Sequence, residues 1–343
     1  MRHARDLAPV AAVGGRLATG LLDVTSDIAA LDGEGFWVVV LAFDSPPVCA
    51  RFERDRPLVG RPGRHWSGPP PGSWRSSLDH GAFTARVRAI RRSIGDGDVY
   101  QVNLTRRLSA PLPGDADVLA LGAALAGGNP SPYAAVVRLP GHGVHVASAS
   151  PERFLRRDGD RVESRPIKGT ALVPGGFLDK DRAENVMIVD LVRNDLGRVC
   201  EYGTISVPAL CAVEHHPGLV HLVSTVRGRL RPEVGWAGLL EATFPPGSVT
   251  GAPKLAALGA IARLEPVPRG PYCGAVGWVD ASARRGDLNV AIRTFWFADD
   301  EVHLGTGGAV TWDSDPGGEW DETELKARRL LAVASGAPAL SPA

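Results

Sequence analysis

The chain is short of lysine. Only Lys168, Lys180, Lys254 and Lys326 occur among the 38 basic residues of its 343. Arginine replaces lysine on a solvated face but stays protonated and cannot act as a nucleophile, so each lysine stands out. Net charge is also absent, because 38 acidic residues balance the 38 basic ones. A chain without a positive field lacks the counterion-release term that drives binding to nucleic acid or anionic membrane. Four cysteines, Cys49, Cys200, Cys211 and Cys273, lie far apart without CxxC spacing, which indicates neither zinc nor a disulfide framework. The longest apolar run, Phe36 to Phe43, has the length of a buried strand and is far short of a membrane span. The basic start of Met1 to Val10 resembles a signal peptide, but Asp6, Pro9 and Gly14-Gly15-Arg16 interrupt any hydrophobic region. These absences predict a soluble, cytoplasmic chain of enzyme size with no nucleic-acid or membrane partner.

No repeat or low-complexity tract divides the sequence. Arg61 to Ser73, rich in proline and glycine, reads as a loop. The expected organisation is a short β-rich N-terminal segment over residues 1–75 packing on a catalytic domain over 76–336. Apolar positions Phe83, Val87, Ile90 and Ile94 predict a helix stopped by Gly95. Strands are predicted at 99–108, 133–139 and 144–149, with a hairpin of 153–157 and 161–165 turned by Asp158-Gly159. A helix is predicted from about Asp179 to Val199, and others at 234–242, 253–264 and 319–335. Further strands are predicted at 220–226, 272–279, 288–297 and 301–304. Meandering strands rather than strict βαβ alternation argue for an α+β fold with large, mainly antiparallel sheets.

Generic fingerprints fail. Gly247 to Lys254 has the wrong glycine spacing for a phosphate loop, Gly305 to Ala309 is no dinucleotide motif, and HExxH and GxSxG are missing. More specific features remain. Asp181 and Glu184 share a helix face, as do Glu319 and Glu322. Two such pairs suit a hard cation that finishes its shell with substrate oxygens, and equally describe solvated helix faces. Thr250-Gly-Ala-Pro253 begins a helix, and Gly307-Gly308 follows a strand. With Tyr272 and Arg293 these could cradle a small acid; turn glycines and a surface arginine are the plainer reading. Lys168, between Pro166 and Gly169, sits where the backbone is held. Burial there would supply a neutral amine, or the lysine is half of a structural ion pair.

In order along the chain, Asp98-Val-Tyr-Gln-Val-Asn-Leu104, Ser150-Pro-Glu-Arg-Phe154, Arg165-Pro-Ile-Lys-Gly-Thr170, the run Asp181 to Gly197, His221-Leu-Val-Ser-Thr-Val226, Thr250-Gly-Ala-Pro-Lys254, Gly270-Pro-Tyr-Cys-Gly-Ala-Val-Gly277, Asn289-Val-Ala-Ile-Arg293 and Glu319-Trp-Asp-Glu-Thr323 resemble the chorismate-utilising enzymes. Within them the similarity is to the aminodeoxychorismate synthase large subunits. It covers about Phe83 to Leu331.

The resemblance implies two large, mainly antiparallel β-sheets facing each other, with flanking helices and the site between them. It implies Glu184, Glu319 and Glu322 as magnesium carboxylates, with Asp181 nearby. Tyr272, Arg293, Gly307 and Gly308 are implied as binders of chorismate, with Ser248 and Thr250 in the adjoining loop. His221 matches the family's active-site histidine, and Glu152 is implied as the general acid. Two positions separate the branches. Isochorismate and salicylate synthases carry a lysine base where Gln101 stands, and glutamine cannot be a base. Anthranilate synthases carry alanine where Lys168 stands. The resemblance therefore implies that the Lys168 amine occupies C2 and ammonia then attacks C4, leaving the enolpyruvyl group intact. Ammonia would come from a separate glutamine amidotransferase subunit, since no glutaminase nucleophile motif appears in this sequence. The rivals are anthranilate synthesis and a catalytically silent binding subunit. Only Gly20 to Asp27 loosely matches the family's tryptophan-binding region.

Overall fold

A computed structural model of the chain describes residues 7–60, 65–171, 173, 175–177, 179–216 and 219–336. The predicted loop at 61–73 therefore lies partly outside the described residues, as does the signal-like start. Two long runs of strands share Arg16–Thr25. In one, Arg16–Thr25 pairs with Val48–Pro57, followed by Phe36–Leu41, Ala275–Asp280, Arg285–Val290, Arg153–Asp158 and Arg161–Arg165. Leu219–Arg229 then pairs with Arg161–Arg165 and Ile167–Ala171 along one edge and with Ser206–His216 along the other. In the other run Arg16–Thr25 pairs with Val10–Val13, then come Tyr133–Leu139, Val144–Ser150, Thr294–Ala298, Glu301–Val310 and Gln101–Pro111. Every one of these pairings is antiparallel, so the fold is α+β with two large antiparallel arrays, as the strand pattern predicted.

Among the described residues six α-helices accompany them: α1 (His80–Gly95), α2 (Val118–Gly128), α3 (Asp179–Gly197), α4 (Trp236–Thr243), α5 (Lys254–Leu264) and α6 (Pro316–Ala334). Side chains from both strand runs, including Val38, Val39, Val137 and Leu139, share one core with Ile188 and Leu196 of α3. Each such fully buried aliphatic side chain contributes about 1.5–3 kcal/mol. Leu121 and Leu125 of α2 and Leu330 and Val333 of α6 close over Phe295 and Leu304, while α1 and α5 cover Val102 and Leu104. Aspartate side chains cap the first turns of α1 and α6. Asp79 accepts from Ala82 N at 2.7 Å and Asp315 from Gly318 N at 2.8 Å, satisfying amides without intrahelical partners. Among the described residues no helix is long and apolar enough to cross a membrane.

The predicted strand 288–297 is two strands, ending at Val290 and resuming at Thr294. Arg293 has φ 51°, a left-handed backbone outside the extended region, and it stands at the break. The strand predicted to begin at Tyr272 begins at Ala275, so Tyr272 and Arg293 both lie beside strands rather than within them. Conversely, Gly307 and Gly308 are not in a turn. They continue Glu301–Val310 and pair with Thr105 and Leu104.

Candidate active site

Lys168 lies on Ile167–Ala171, opposite Leu222, and the next paired residue, Thr170, faces His221 across a register shift. Gly169 makes that shift possible with φ 77°. A Cβ there would also stand 2.9 Å from the Asp181 side chain, so the bulge needs glycine twice over. The Lys168 amine donates to the Ser248 carbonyl at 3.2 Å. Among the described residues no carboxylate lies within ion-pair reach of it. The side chain keeps partial access to solvent, yet protein surrounds the amine. Burial pushes its pKa below the usual lysine value, helped by Lys326 and opposed by Glu184, Glu152 and Glu322.

Glu152 is 3 % exposed. Ser150 holds it: the Ser150 hydroxyl donates to Val290 O at 2.6 Å and accepts from Glu152 N at 3.2 Å. Burial pushes the Glu152 carboxyl up to about 7, against hydrogen bonds from Ser248 and the Ile167 backbone and the Lys168 charge. A carboxyl of that kind carries a proton near neutrality, as a general acid must. Ser248 thus touches both groups, through its carbonyl to Lys168 and its side chain to Glu152. Thr250 is two residues on, fully buried, with its hydroxyl donating to Pro246 O at 3.1 Å and its carbonyl accepting from Asn103 N at 2.8 Å. His221 is also buried, on the strand that pairs with that of Lys168.

Glu184 comes from α3, which is latched to the sheet by Asn185. The Asn185 amide donates to Leu222 O at 3.0 Å and its carbonyl accepts from the Ser224 hydroxyl. Burial raises the Glu184 pKa over the opposing pull of Lys168, with Glu322 and Asp181 adding to the rise. Glu319 and Glu322 come from α6. Glu319 Oε1 accepts from Ser314 at 2.6 Å, and its buried Oε2 has no partner among the described residues. Burial raises this carboxyl too, and Glu322 and Glu184 add to that. Glu322 is held below the usual carboxylate range by Lys326, 2.5 Å away. Lys326 also donates to Gly307 O at 3.1 Å. A Cβ at Gly308 would stand 3.1 Å from Glu319 Oε2 and 3.8 Å from Glu322 Oε1. The glycine pair therefore lets the α6 carboxylates approach the strand.

Among the described residues no group of three or more His, Cys, Asp or Glu is close enough to hold a metal by itself. Magnesium does not require one: it takes one or two carboxylates and completes its octahedron with water and substrate oxygens. The unpartnered Glu319 Oε2, with Glu322 beside it, fits that demand.

Tyr272 is buried with its ring against Gly305, where a Cβ would fall 2.1 Å from it. Burial holds its hydroxyl protonated, far above the ordinary tyrosine value. Burial and the nearby Arg329 charge lower the pKa of Arg293. Among the described residues no carboxylate pairs with Arg293, which leaves a desolvated cation facing a second one on α6, a setting that favours an anion. Lys168, Glu152, Ser248, Glu184, Glu319 and Glu322 thus form one electrostatic neighbourhood. Tyr272 borders it through Gly305 on the Gly307-Gly308 strand, and Arg293 meets it only by way of α6. Sequence reasoning missed Lys326 as a site residue. Its signals were lysine scarcity and its position four residues after Glu322.

The chain matches the chorismate binding enzymes over residues 50–332. It is 46 % identical over 273 residues to an aminodeoxychorismate synthase of Streptomyces pristinaespiralis, covering 76 % of this chain and 37 % of that protein. It is 42 % identical over 281 residues to an anthranilate synthase component 1 of Streptomyces coelicolor, covering 78 % of this chain and 54 % of that one. The chain thus spans between about a third and just over half of those relatives' lengths. A solved structure of a putative 2,3-dihydroxybenzoate-specific isochorismate synthase, DhbC from Bacillus anthracis, superimposes with a TM-score of 0.79 at 25 % identity, over 96 % of this chain and 98 % of that one. The matched span holds Glu152, Lys168, Glu184, His221, Arg293 and both α6 carboxylates, and the chain belongs to the chorismate-binding enzyme family.

Proposed function

We propose that this chain aminates chorismate at C4, giving 4-amino-4-deoxychorismate for para-aminobenzoate and folate synthesis, as the synthase component of an aminodeoxychorismate synthase. The observation that carries this reading is Lys168: a buried amine of lowered pKa, held by a carbonyl and, among the described residues, by no carboxylate, near a Glu152 carboxyl pushed up to about 7. The neutral Lys168 nitrogen bonds to C2, the ring double bond shifts, and the C4–O bond breaks. Glu152 gives its proton to the departing hydroxyl, which leaves as water. Ammonia then bonds to C4, the C2–N bond breaks, and the lysine amine returns. The proton lost by the ammonia nitrogen restores Glu152. Chorismate and ammonia thus become 4-amino-4-deoxychorismate and water. Two easier displacements replace one difficult one.

Arg293 and Tyr272 would bind the substrate's carboxylate, with the Gly307-Gly308 backbone alongside, while His221 lies behind Lys168 on the paired strand. Glu319, Glu322 and Glu184 would hold magnesium, whose charge when bound would neutralise and polarise the ring carboxylate. Ammonia would be delivered by a separate glutamine amidotransferase, and the enzyme would work in the cytoplasm. The anthranilate synthase relative at 42 % identity favours one rival, direct ammonia attack at C2. Lys168 argues against it, because its amine would occupy the position that such attack needs. The test is purified chain with chorismate, magnesium and ammonium salt, with products separated chromatographically. The expected product is 4-amino-4-deoxychorismate, formed with ammonium but not with glutamine alone. Anthranilate as the product, or glutamine-dependent turnover by the isolated chain, would overturn the reading.

A further inference from the structure

Ser248 meets Lys168 and Glu152 from a loop that its own hydrogen bonds turn, Thr250 Oγ1 to Pro246 O at 3.1 Å among them, and that a buried group ties to the rest of the fold. The holding group lies behind it. Arg269 and Glu265 have side chains 2 % and 5 % exposed and form a two-pronged pair, Nε to Oε2 at 2.8 Å and Nη2 to Oε1 at 2.7 Å. The rest of the guanidinium faces two backbone carbonyls, with Nη1 donating to Val249 O and Nη2 to Asn103 O, both at 2.8 Å. Glu265 Oε1 also accepts from Thr105 N at 2.8 Å. The Phe43 ring closes the guanidinium face, 4.3 Å from centroid to Cζ. The Arg269 backbone is fixed in turn: its amide donates to Asp44 at 2.6 Å, and its carbonyl accepts from Tyr272 N at 3.2 Å.

Three of these contacts, those with Val249, Asn103 and Tyr272, lead toward the site. Val249 follows Ser248, Asn103 is two residues from Gln101, and Tyr272 is three residues from Arg269 itself. We propose that Arg269 is a positioning residue: its buried guanidinium sets the Ser248 carbonyl against the Lys168 amine and ties that loop to the Gln101–Pro111 strand and the Tyr272 turn. Stability alone is a poor account of the pair, because buried ion pairs are often matched or bettered by packed apolar side chains. Only a planar fork with five donors spans a carboxylate and two carbonyls on different elements. The role rests on the reading of Lys168 and Ser248 as part of the catalytic centre.

The experiment compares wild type, Arg269→Lys and Glu265→Gln for chorismate consumption with saturating ammonium and magnesium, each well below its own thermal midpoint. Lysine keeps the charge and the contact with Glu265 but cannot reach both carbonyls. A displacement of about an ångström at the reacting groups costs on the order of a hundredfold. The expected result for Arg269→Lys is a kcat loss of that order with KM for chorismate within about threefold. Glu265→Gln, which keeps the acceptor for Thr105 and loosens the fork, should lose less, with the same split. If Arg269→Lys does not fold, Glu265→Gln decides by itself. Unchanged kcat in the folded variants, or a loss confined to KM, would overturn the proposal. A wild-type product other than 4-amino-4-deoxychorismate would overturn the functional reading while leaving the kcat comparison to decide on Arg269. Wild type inert towards chorismate would overturn both.

Discussion

Two lysine–carboxylate neighbourhoods flank the loop that carries Ser248, and they are built oppositely. In one, Lys254 meets Asp195 at 2.6 Å and donates to Thr243 O at 2.9 Å, with side chains 15 % and 8 % exposed. In the other, Lys168 and Glu152 are comparably removed from water, but the lysine's partner is the Ser248 carbonyl. In both, burial lowers the lysine pKa and raises that of the acid. The difference is the direct contact. A charge pair in contact offsets much of the desolvation that each partner suffers. A lysine given only a carbonyl gains less of that offset, and burial lowers its pKa. The closed pair ties α5 to α3, and the open pair leaves an amine and an acid for chemistry.

The largest effect that could break this contrast is at Lys168. Lys168→Ala should lower formation of 4-amino-4-deoxychorismate by about a thousandfold or more, the scale on which covalent nucleophiles act. It should also open C2 to ammonia and shift the remaining product towards aminodeoxyisochorismate or anthranilate. Lys168→Arg, bulky and charged without a nucleophile, should be no better. Mass spectrometry of wild type incubated with chorismate and no ammonia should find an adduct on the Lys168 peptide. Wild-type rates in the alanine variant with no trapped adduct would sink the covalent role.

Next in size is the acidic wall. Chelator should abolish turnover, and added magnesium should restore it. Glu322→Gln and Glu184→Gln should fold and yet lose at least about a hundredfold in kcat, since each removes a carboxylate that would hold the magnesium. Chelator-resistant activity would remove the metal from this account.

The closed pair should fail differently. Lys254→Ala leaves Asp195 buried without its partner and should cost about 3–5 kcal/mol of stability. Activity per folded molecule should change far less than in Lys168→Ala. Denaturant melts beside single-temperature kinetics separate the two losses. A Lys254 variant of full stability but no activity would invert the comparison.

Sequence reading reached some of this and not the rest, for physical reasons. The helix at 179–199 and the hairpin about Asp158-Gly159 were legible because local periodicity and turn chemistry specify them, and the structure places them at Asp179–Gly197 and Arg153–Arg165. The carboxylate pairs were legible as helix-face neighbours, though nothing local says that Glu184 of α3 comes within the field of Glu319 and Glu322 of α6. Arg16–Thr25 went unread: Gly20 and its mixed polar pattern hide a strand that earns its place by pairing on both edges. So did α2, whose glycine-rich Val118–Gly128 lacks a polar face because Val118, Leu121 and Leu125 are all buried. The break at Arg293 and the Lys254–Asp195 contact, 59 positions apart, are tertiary facts, and no window of sequence holds them. The value of Lys168 came from motif resemblance; that its amine donates to the Ser248 carbonyl came only from the structure.

The smallest expected effect sharpens the contrast most, because it separates the two acids by pH. The Glu152 carboxyl stands at about 7 in the folded chain against an ordinary 4.5. Its protonated form is the one the fold prefers. The stability this lends is complete below pH 4.5 and is lost as pH rises through about 7, where the buried carboxyl must ionise. Glutamine keeps the shape of the neutral acid and cannot ionise. Glu152→Gln should therefore match wild type in stability near pH 4.5 and exceed it by up to about 3 kcal/mol at pH 8. Its turnover should be poor at every pH, since an amide cannot donate the proton that the departing hydroxyl needs. Wild-type kcat should itself fall above pH 7 by about tenfold per pH unit, as the acid loses its proton. A Glu152→Gln chain no more stable than wild type at pH 8 would mean that Glu152 is ionised like a closed-pair carboxylate, and the contrast with Asp195 would disappear.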